Sequence, residues 1–354
     1  MERLEKLVKD RSGILLILVG AVLIFWDIYR PFAGDVTDGQ VTRAEETVYS
    51  PGRVAGQALQ ENQMTGVKNP WPDAERQEQQ NRNAQGTGEQ AREDTRKPAG
   101  CLQLAGSSSM ERYAGALAEG FMEKYPEVNV ILQFTGSSAG IASVTGGSAD
   151  IGMSSRYLTE EEKAAGAVEN IAGADCIALC ANPANGVTGL TGEQLSRLYT
   201  GEIADWSQLG GGKLPVVLIG REAGSGTRRA FEELLGLADR CTYANELDST
   251  GAVMARIEVT PGAIGYVSLE AADRMRREAE TEGGAGAVCT VLSLDGTVPS
   301  MENVDNGSYP LYRPFIMVTR GEAEDGNELV RAWLSYVESE EGRGIAEKMG
   351  IGMN

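Results

Sequence analysis

Three times along this chain a short apolar run stops at a cluster of glycine with serine or threonine, and a helical pattern takes over. Leu102-Gln103-Leu104 leads to Gly106-Ser107-Ser108-Ser109, and Val128-Asn129-Val130-Ile131-Leu132 leads to Gly136-Ser137-Ser138-Ala139-Gly140. Leu214-Pro215-Val216-Val217-Leu218-Ile219 leads to Arg221-Glu222-Ala223-Gly224-Ser225-Gly226-Thr227, and Arg228 to Leu235 then reads as a helix. Repetition of strand, turn and helix predicts an α/β fold with a largely parallel sheet. In such sheets ligands bind at the carboxyl ends of the strands, where these turns lie. A helix start offers N–H groups without intrahelical partners and the positive end of the macrodipole, so each turn favours an anion.

The segments between follow the same grammar. Tyr113, Leu117, Phe121 and Tyr125 recur every four residues, one apolar helix face read as core, and Pro126 ends that helix. Ile141 to Val144 reads as a short helix, and Asp150-Ile151-Gly152-Met153 as a short strand ending in Ser154-Ser155-Arg156. Thr191 to Tyr199 is helical, Ser249-Thr250-Gly251 opens a further helix, and Gly262 to Val267 is an apolar strand. Leu311 to Thr319 reads as a strand, Glu328 to Val337 as an amphipathic helix, and Glu341 to Met349 as a last helix.

Composition removes whole classes of chemistry. The chain has 354 residues, a net charge of −19 and no histidine. Ser-His-Asp and Cys-His catalysis and His-ligated metal sites are therefore excluded, and the acidic balance argues against a nucleic-acid partner. Five cysteines, at 101, 176, 180, 241 and 289, form no disulfide framework and no CxxC pair. Cys176 and Cys180 sit in an apolar stretch where packing is their expected role.

The first hundred residues differ from the rest. Residues 13–26 carry no charge, and with Ile28, Tyr29 and Phe32 they approach the roughly 20 residues that span a bilayer. No small-residue cleavage site follows, so an uncleaved anchor over 1–32 is preferred to a cleaved signal peptide. Arg3, Lys6, Lys9 and Arg11 precede the span, which puts the remainder of the chain outside the cytoplasm. Residues 33–100 are polar and without period, as in Gln77-Glu78-Gln79-Gln80-Asn81-Arg82-Asn83, and read as a disordered linker. A small extra domain around Trp71 is the other reading.

Three Gly-Ser turns at strand–helix junctions, one of them carrying Arg221, point to a small tetrahedral anion wrapped by hydroxyls, backbone N–H groups and a guanidinium fork. Enzymatic readings of the same turns fail. Gly224-Ser225-Gly226 lacks the G-x-S-x-G spacing and any histidine base, and Thr227 is preceded by Gly226 where a P-loop needs lysine. Arg228 and Arg229 could add to the anion's field, with a solvated helix face as the alternative, above all for Arg229.

Residues from about 101 to 354 resemble the phosphate-binding protein of the phosphate ABC importer, a periplasmic-type substrate-binding protein. The resemblance rests on Gly106-Ser107-Ser108-Ser109, Gly136-Ser137-Ser138-Ala139-Gly140, Ala149-Asp150-Ile151-Gly152 and Arg221 to Thr227. Leu190 to Leu195, Tyr199 to Ile203 and Pro261 to Tyr266 complete it in the family's order. It implies a two-lobed periplasmic-binding-protein-like (type II) fold over 101–354. Lobe 1 would be about 101–180 and 305–354, and lobe 2 about 181–304. It further implies phosphate ligands at Ser108, Ser109, Ser137, Ser155, Arg221, Ser225, Gly226 and Thr227, with no catalytic residue, cofactor or metal. The implied partners are inorganic phosphate and the permease subunits of an ABC importer. The alternative is a membrane-tethered oxyanion sensor that signals to a partner protein.

Two positions depart from the family. Its best-known members carry an aspartate after the D-x-G strand, to accept a proton from hydrogen phosphate, and another in the third turn. Here those positions are Ser155 and Ala223. Glu222 or Asp248 could stand in, or each could be a solvated or capping carboxylate. Cys101 follows Pro98-Ala99-Gly100, but the polar residues before it do not fit a lipidation signal.

Overall fold

Residues 98–281, 289–323 and 327–353 are described by the computed structural model. The expected anchor over 1–32 and nearly all of the linker over 33–100 lie outside them. Among the described residues no helix is long and apolar enough to cross a membrane.

The first three strand–turn–helix units begin the fold. They are β1 (Gly100–Gly106) with α1 (Glu111–Lys124), β2 (Val128–Gln133) with α2 (Ser137–Thr145), and β3 (Ile151–Ser154), followed after a loop by the short α3 (Glu160–Ala164). The chain then runs through β4 (Ala167–Ala181), β5 (Gly189–Leu190) and α4 (Gly192–Tyr199). A second set of units follows: β6 (Val217–Arg221) with α5 (Gly226–Leu234), β7 (Asn245–Leu247) with α6 (Thr250–Val259), and β8 (Ala263–Ser268) with α7 (Leu269–Thr281). The last elements are β9 (Thr290–Leu294), α8 (Met301–Asp305), β10 (Tyr312–Arg320), α9 (Glu328–Glu338) and α10 (Glu340–Lys348).

Strand order makes two lobes of one pattern. It reads β2-β1-β3-β10-β4 and continues β4-β8-β6-β7, with β9 also paired to β4. In each lobe the second strand lies outside the first, the third lies inside it, and an antiparallel crossing strand comes next. β4 belongs to both lobes: Ala167 to Cys176 pair with β10, and Ile177 to Ala181 pair with β8. The sheet is therefore not largely parallel, as the repetition of units suggests. β10 runs antiparallel to β3 and β4, and β4 antiparallel to β8 and β9, because these strands carry the chain between lobes in opposite senses.

Each lobe has its own core. Tyr113, Leu117 and Phe121 of α1 are buried with Leu102, Leu104, Phe315 and Trp333. Phe121 meets the Trp333 ring edge-on at 5.2 Å, and Tyr125, at the helix end, is only partly buried against the same core. Ile177, Leu179, Tyr199, Trp206, Phe231 and Tyr266 fill the second core, where Tyr309 and Leu311 also pack. Each such side chain contributes on the order of 1.5–3 kcal/mol by leaving water, which is what holds the strand ends in place. Cys176 is buried in this second core and Cys180 in a neighbouring cluster with Ile219, Val253 and Val267, both as free thiols.

Four element ends at the turns differ from the sequence expectation. β6 starts at Val217 because Pro215, with no N–H to donate, makes only an isolated bridge to Asp205. It extends to Arg221, so that residue closes a strand instead of opening a turn. α2 and α5 begin early, at Ser137 and Gly226, which turns the Gly-Ser clusters themselves into helix N-termini.

Candidate functional site

The strand ends of both lobes face one another across the crossing strands. Lobe 1 contributes Ser107, Ser108 and Ser109 after β1, Gly136, Ser137 and Ser138 after β2, and Ser155 after β3. Lobe 2 contributes Arg221 at the end of β6 and Glu222 to Thr227 after it, and Ser249 and Thr250 after β7. The second lobe thus repeats the first, and Thr250 occupies the place in lobe 2 that Ser137 occupies in lobe 1, at the first residue of the second helix.

Hydroxyls from the two lobes meet directly. Ser109 Oγ lies 2.8 Å from Thr227 Oγ1 and 3.2 Å from Thr250 Oγ1. The Thr250 N–H donates to Ser108 Oγ at 3.3 Å, and the Ser138 N–H donates to Gly224 O at 3.1 Å. Gly226 comes so close to lobe 1 that an added Cβ would strike Ser137 Oγ and lie 2.7 Å from Ser155 Oγ. Gly136 has φ +86°, a left-handed conformation that glycine adopts without steric penalty, and it opens α2 directly under Glu222.

Arg221 is 2% exposed and fixed on three sides. Its Nε donates to Glu222 Oε2 at 3.0 Å and Leu247 O at 3.1 Å, and its Nη2 to Glu222 Oε1 at 2.9 Å and Asp248 O at 3.1 Å. The remaining edge, Nη1, points to Thr250 Oγ1 at 3.4 Å and so into the hydroxyl cluster. Glu222, half-buried, is neither a free surface carboxylate nor a helix cap: it is the ion-pair partner of Arg221. Asp248 serves through its backbone carbonyl, its residue being exposed.

At the other wall, Ser155 Oγ accepts from Ser107 Oγ at 2.9 Å and lies 3.3 Å from Ser137 Oγ, while the Ser155 N–H donates to Ser137 Oγ at 3.1 Å. Hydroxyls fill the place where the family resemblance leads one to expect a carboxylate. Behind them, Arg156 forms a two-pronged pair with Glu162 at 2.7 and 2.8 Å and donates to Ser138 Oγ at 3.1 Å. Burial pushes the Glu162 carboxyl up, but the Arg156 bonds and the Thr159 N–H outweigh it and hold the group below the usual range.

All eight residues expected as ligands border this region, in different ways. Ser108, Ser109, Ser137, Arg221 and Thr227 bring side chains to it, and Gly226 brings backbone. Ser225 Oγ accepts the Arg228 N–H at 3.3 Å and caps α5. Arg228 is turned away, bonded to Glu232, Glu246 and the Arg221 carbonyl, and Arg229 pairs with Glu233 on the surface. The expected contribution of Arg228 to an anion's field is thus not seen. Ser107 and Thr250 belong to the cluster and were not expected. The Ser249-Thr250-Gly251 turn has the same Gly-plus-hydroxyl composition as the other three, and that signal was available. Among the described residues, no group of acidic or cysteine side chains could hold a metal ion.

Two lobes of one topology, closed on converging hydroxyls and a single inward guanidinium edge, define a substrate-binding protein of the periplasmic type. The PBP superfamily domain matches residues 73–341. PstS, the phosphate-binding protein of Bacillus subtilis (strain 168), is 33% identical over 250 residues, covering 69% of this chain and 77% of that protein. A Clostridium perfringens protein described as a phosphate ABC transporter substrate-binding protein, solved with bound phosphate, is 34% identical with a TM-score of 0.65. It covers 72% of this chain and 100% of that one. An ABC-type phosphate transport receptor from Vibrio cholerae is 30% identical with a TM-score of 0.56 over 72% of this chain and 100% of its own. The chain belongs to the PBP superfamily and, within it, to the PstS family of phosphate-binding proteins.

Proposed function

We propose that this chain captures inorganic phosphate between its lobes, outside the cytoplasm, and delivers it to the permease of an ABC importer. The observation that carries the reading is the inward Nη1 edge of Arg221 beside hydroxyls of both lobes, Ser109, Thr227 and Thr250. A tetrahedral oxyanion offers acceptors in several directions, and charge-assisted bonds from a guanidinium are the strongest available to it. The helix starts at Ser137 and Gly226 add N–H groups and dipoles from opposite sides. Ser108, Ser109, Ser137, Ser155, Arg221, Ser225, Gly226 and Thr227 are proposed as ligands, with Ser107 and Thr250 added. In this reading the domain is a binder and not an enzyme, and residues 1–32 anchor it to the membrane.

Calorimetric titration with inorganic phosphate tests the site. Arg221→Ala is expected to lose about thirtyfold to a few thousandfold in affinity, since truncating a buried, hydrogen-bonded charge costs roughly 2–5 kcal/mol. Its circular dichroism should match the wild type, and unchanged affinity would remove the assignment. Mass spectrometry of the mature N-terminus tests the anchor.

A further inference from the structure

Arg221 ends β6 beyond the ladder that this strand shares with β8, which covers Val217 and Leu218 only. On the β7 side, the Leu218 carbonyl accepts from the Ala244 N–H at 2.9 Å and the Glu222 N–H donates to Leu247 O at 3.0 Å. Backbone groups alternate in direction along a strand, so the N–H and C=O of Arg221 face the other way, where β8 has parted from β6. Buried peptide groups need partners, and side chains take the place of the missing strand. The Arg221 N–H donates to Tyr266 Oη at 3.4 Å, and the Arg221 carbonyl accepts from Arg228 Nη1 at 2.9 Å.

Both side chains lead to one carboxylate. Tyr266 Oη donates to Tyr243 Oη at 3.1 Å, and Tyr243 Oη donates to Glu232 Oε1 at 2.9 Å. Arg228 Nε donates to the same oxygen at 2.9 Å. The bonds close a ring: from the Arg221 N–H through two phenols to Glu232, and back through Arg228 to the Arg221 carbonyl. Every bond of the tyrosine arm runs toward the carboxylate, and hydrogen bonds in such a chain polarise one another. Burial raises both phenols far above their usual range, which keeps them protonated as donors. The ring is packed as well as bonded. The Arg228 guanidinium lies over the Tyr243 ring at 4.8 Å, and a Cβ added to Gly220, the residue before Arg221, would strike that same ring. Glu232 is buried, its Oε2 accepts the Asp239 N–H at 3.4 Å, and Arg228 also reaches Glu246 at 3.0 Å.

We propose that Glu232 is a positioning residue of the anion site: through Tyr243 and Tyr266 on one arm and Arg228 on the other it fixes the Arg221 peptide, and with it the direction of the inward Nη1 edge. This rests on the phosphate reading of the cleft. It also gives Arg228 a part in binding, as a holder of Arg221 and not of the anion. A field effect would have the opposite sign. Glu232 acting by charge alone repels the anion, so its neutralisation would tighten binding, whereas loss of an anchor weakens it.

Titration of the full chain with inorganic phosphate, beside thermal unfolding, tests this. Glu232→Gln exchanges the carboxylate for a weaker acceptor and is expected to bind about three- to tenfold more weakly. Tyr266→Phe removes one hydroxyl and no charge, and should weaken binding by a similar factor. Tyr309→Phe is the control. Its hydroxyl donates to Ile177 O at 2.9 Å in the same core but outside the ring, so the variant should lose stability and keep wild-type affinity. Tighter or unchanged binding in either ring variant overturns the proposal. So does a Tyr309→Phe chain that loses as much affinity as Tyr266→Phe, since affinity would then only follow the stability of the core. Should Glu232→Gln not fold, Tyr266→Phe against Tyr309→Phe decides by the same measure. A wild-type chain that binds no phosphate overturns the reading of the cleft and this inference with it. Wild-type binding with unmoved variants overturns the role of Glu232 alone.

Discussion

Arg221 and Glu222 are consecutive in the chain and form a two-pronged ion pair, Nε to Oε2 at 3.0 Å and Nη2 to Oε1 at 2.9 Å. The cation that marks the cleft is therefore half neutralised before any ligand arrives, and only Nη1 is turned inward. Glu222 Oε1 also lies 3.0 Å from where a Cβ on Gly136 would be, so the carboxylate of one lobe shields the helix start of the other.

Glu222→Gln should tighten phosphate binding. The guanidinium stays held by the Leu247 and Asp248 carbonyls, while its counter-charge is gone. Because Glu222 is about one-third exposed, solvent screening limits the gain to about threefold, and added salt should shrink it further. Titrations at low and high salt measure this. Weaker binding at both would show that Glu222 orients Arg221 more than it neutralises it.

Gly226→Ala should separate closure from folding. The new methyl falls on Ser137 and Ser155, which belong to the opposite lobe, so each lobe can fold while the two cannot meet. Overpacking of this kind costs roughly 1–3 kcal/mol, which sets a loss of about ten- to a hundredfold in phosphate affinity. Small-angle scattering should show no compaction on adding phosphate, with the thermal transition little changed. A closed, tight-binding variant would contradict the lobe assignment of these residues.

What the sequence made legible was local. Turn chemistry at 106–109, 136–140 and 221–227 depends on a few consecutive residues, so the strand–helix junctions could be read from it, though not the last residue of β6 or the first residues of α2 and α5. The crossing strand β4 could not. Its first part, Ala167 to Asp175, mixes Glu169, Asn170, Gly173 and Asp175 with alanines, and only pairing with β10 and β8 makes it extended. β7 is three residues with no apolar run, Asn245 to Leu247, so the turn at Ser249-Thr250-Gly251 read as a helix start without a strand before it. The pairing of Asp175 with Arg313 spans 138 positions, a distance over which no spacing rule operates.

Thr250→Val tests the residue that the turn pattern missed. Valine keeps the β-branched shape and removes only the hydroxyl that meets Ser109 Oγ and Arg221 Nη1. Losing one such bond beside a charged group costs about 1.5–3 kcal/mol, so phosphate affinity should fall about ten- to a hundredfold. Thermal stability should hold, and Thr250→Ser should restore most of the affinity. Equal affinity in the valine variant would leave Thr250 as a helix start and nothing more.

Glu162→Gln should weaken the wall behind the cleft in a pH-dependent way. Glu162 takes both prongs of Arg156, whose side chain is 4% exposed, and its Oε2 also accepts the Thr159 N–H at 2.8 Å. Its native pKa is lowered from the ordinary value of 4.5. A lowered carboxyl contributes stability that is present above its unfolded value and is lost as pH falls through the native one. At pH 7 the variant leaves a buried guanidinium without its anion and should be less stable by about 2 kcal/mol. Urea unfolding should show that gap narrowing as pH drops below 4.5, where wild-type Glu162 itself takes up a proton. A gap that is the same in acid and at neutrality would mean that the pair acts through shape and not through charge. Because Arg156 also holds Ser138 Oγ, and Ser138 N–H bridges to Gly224 of the other lobe, phosphate affinity at pH 7 should fall together with stability.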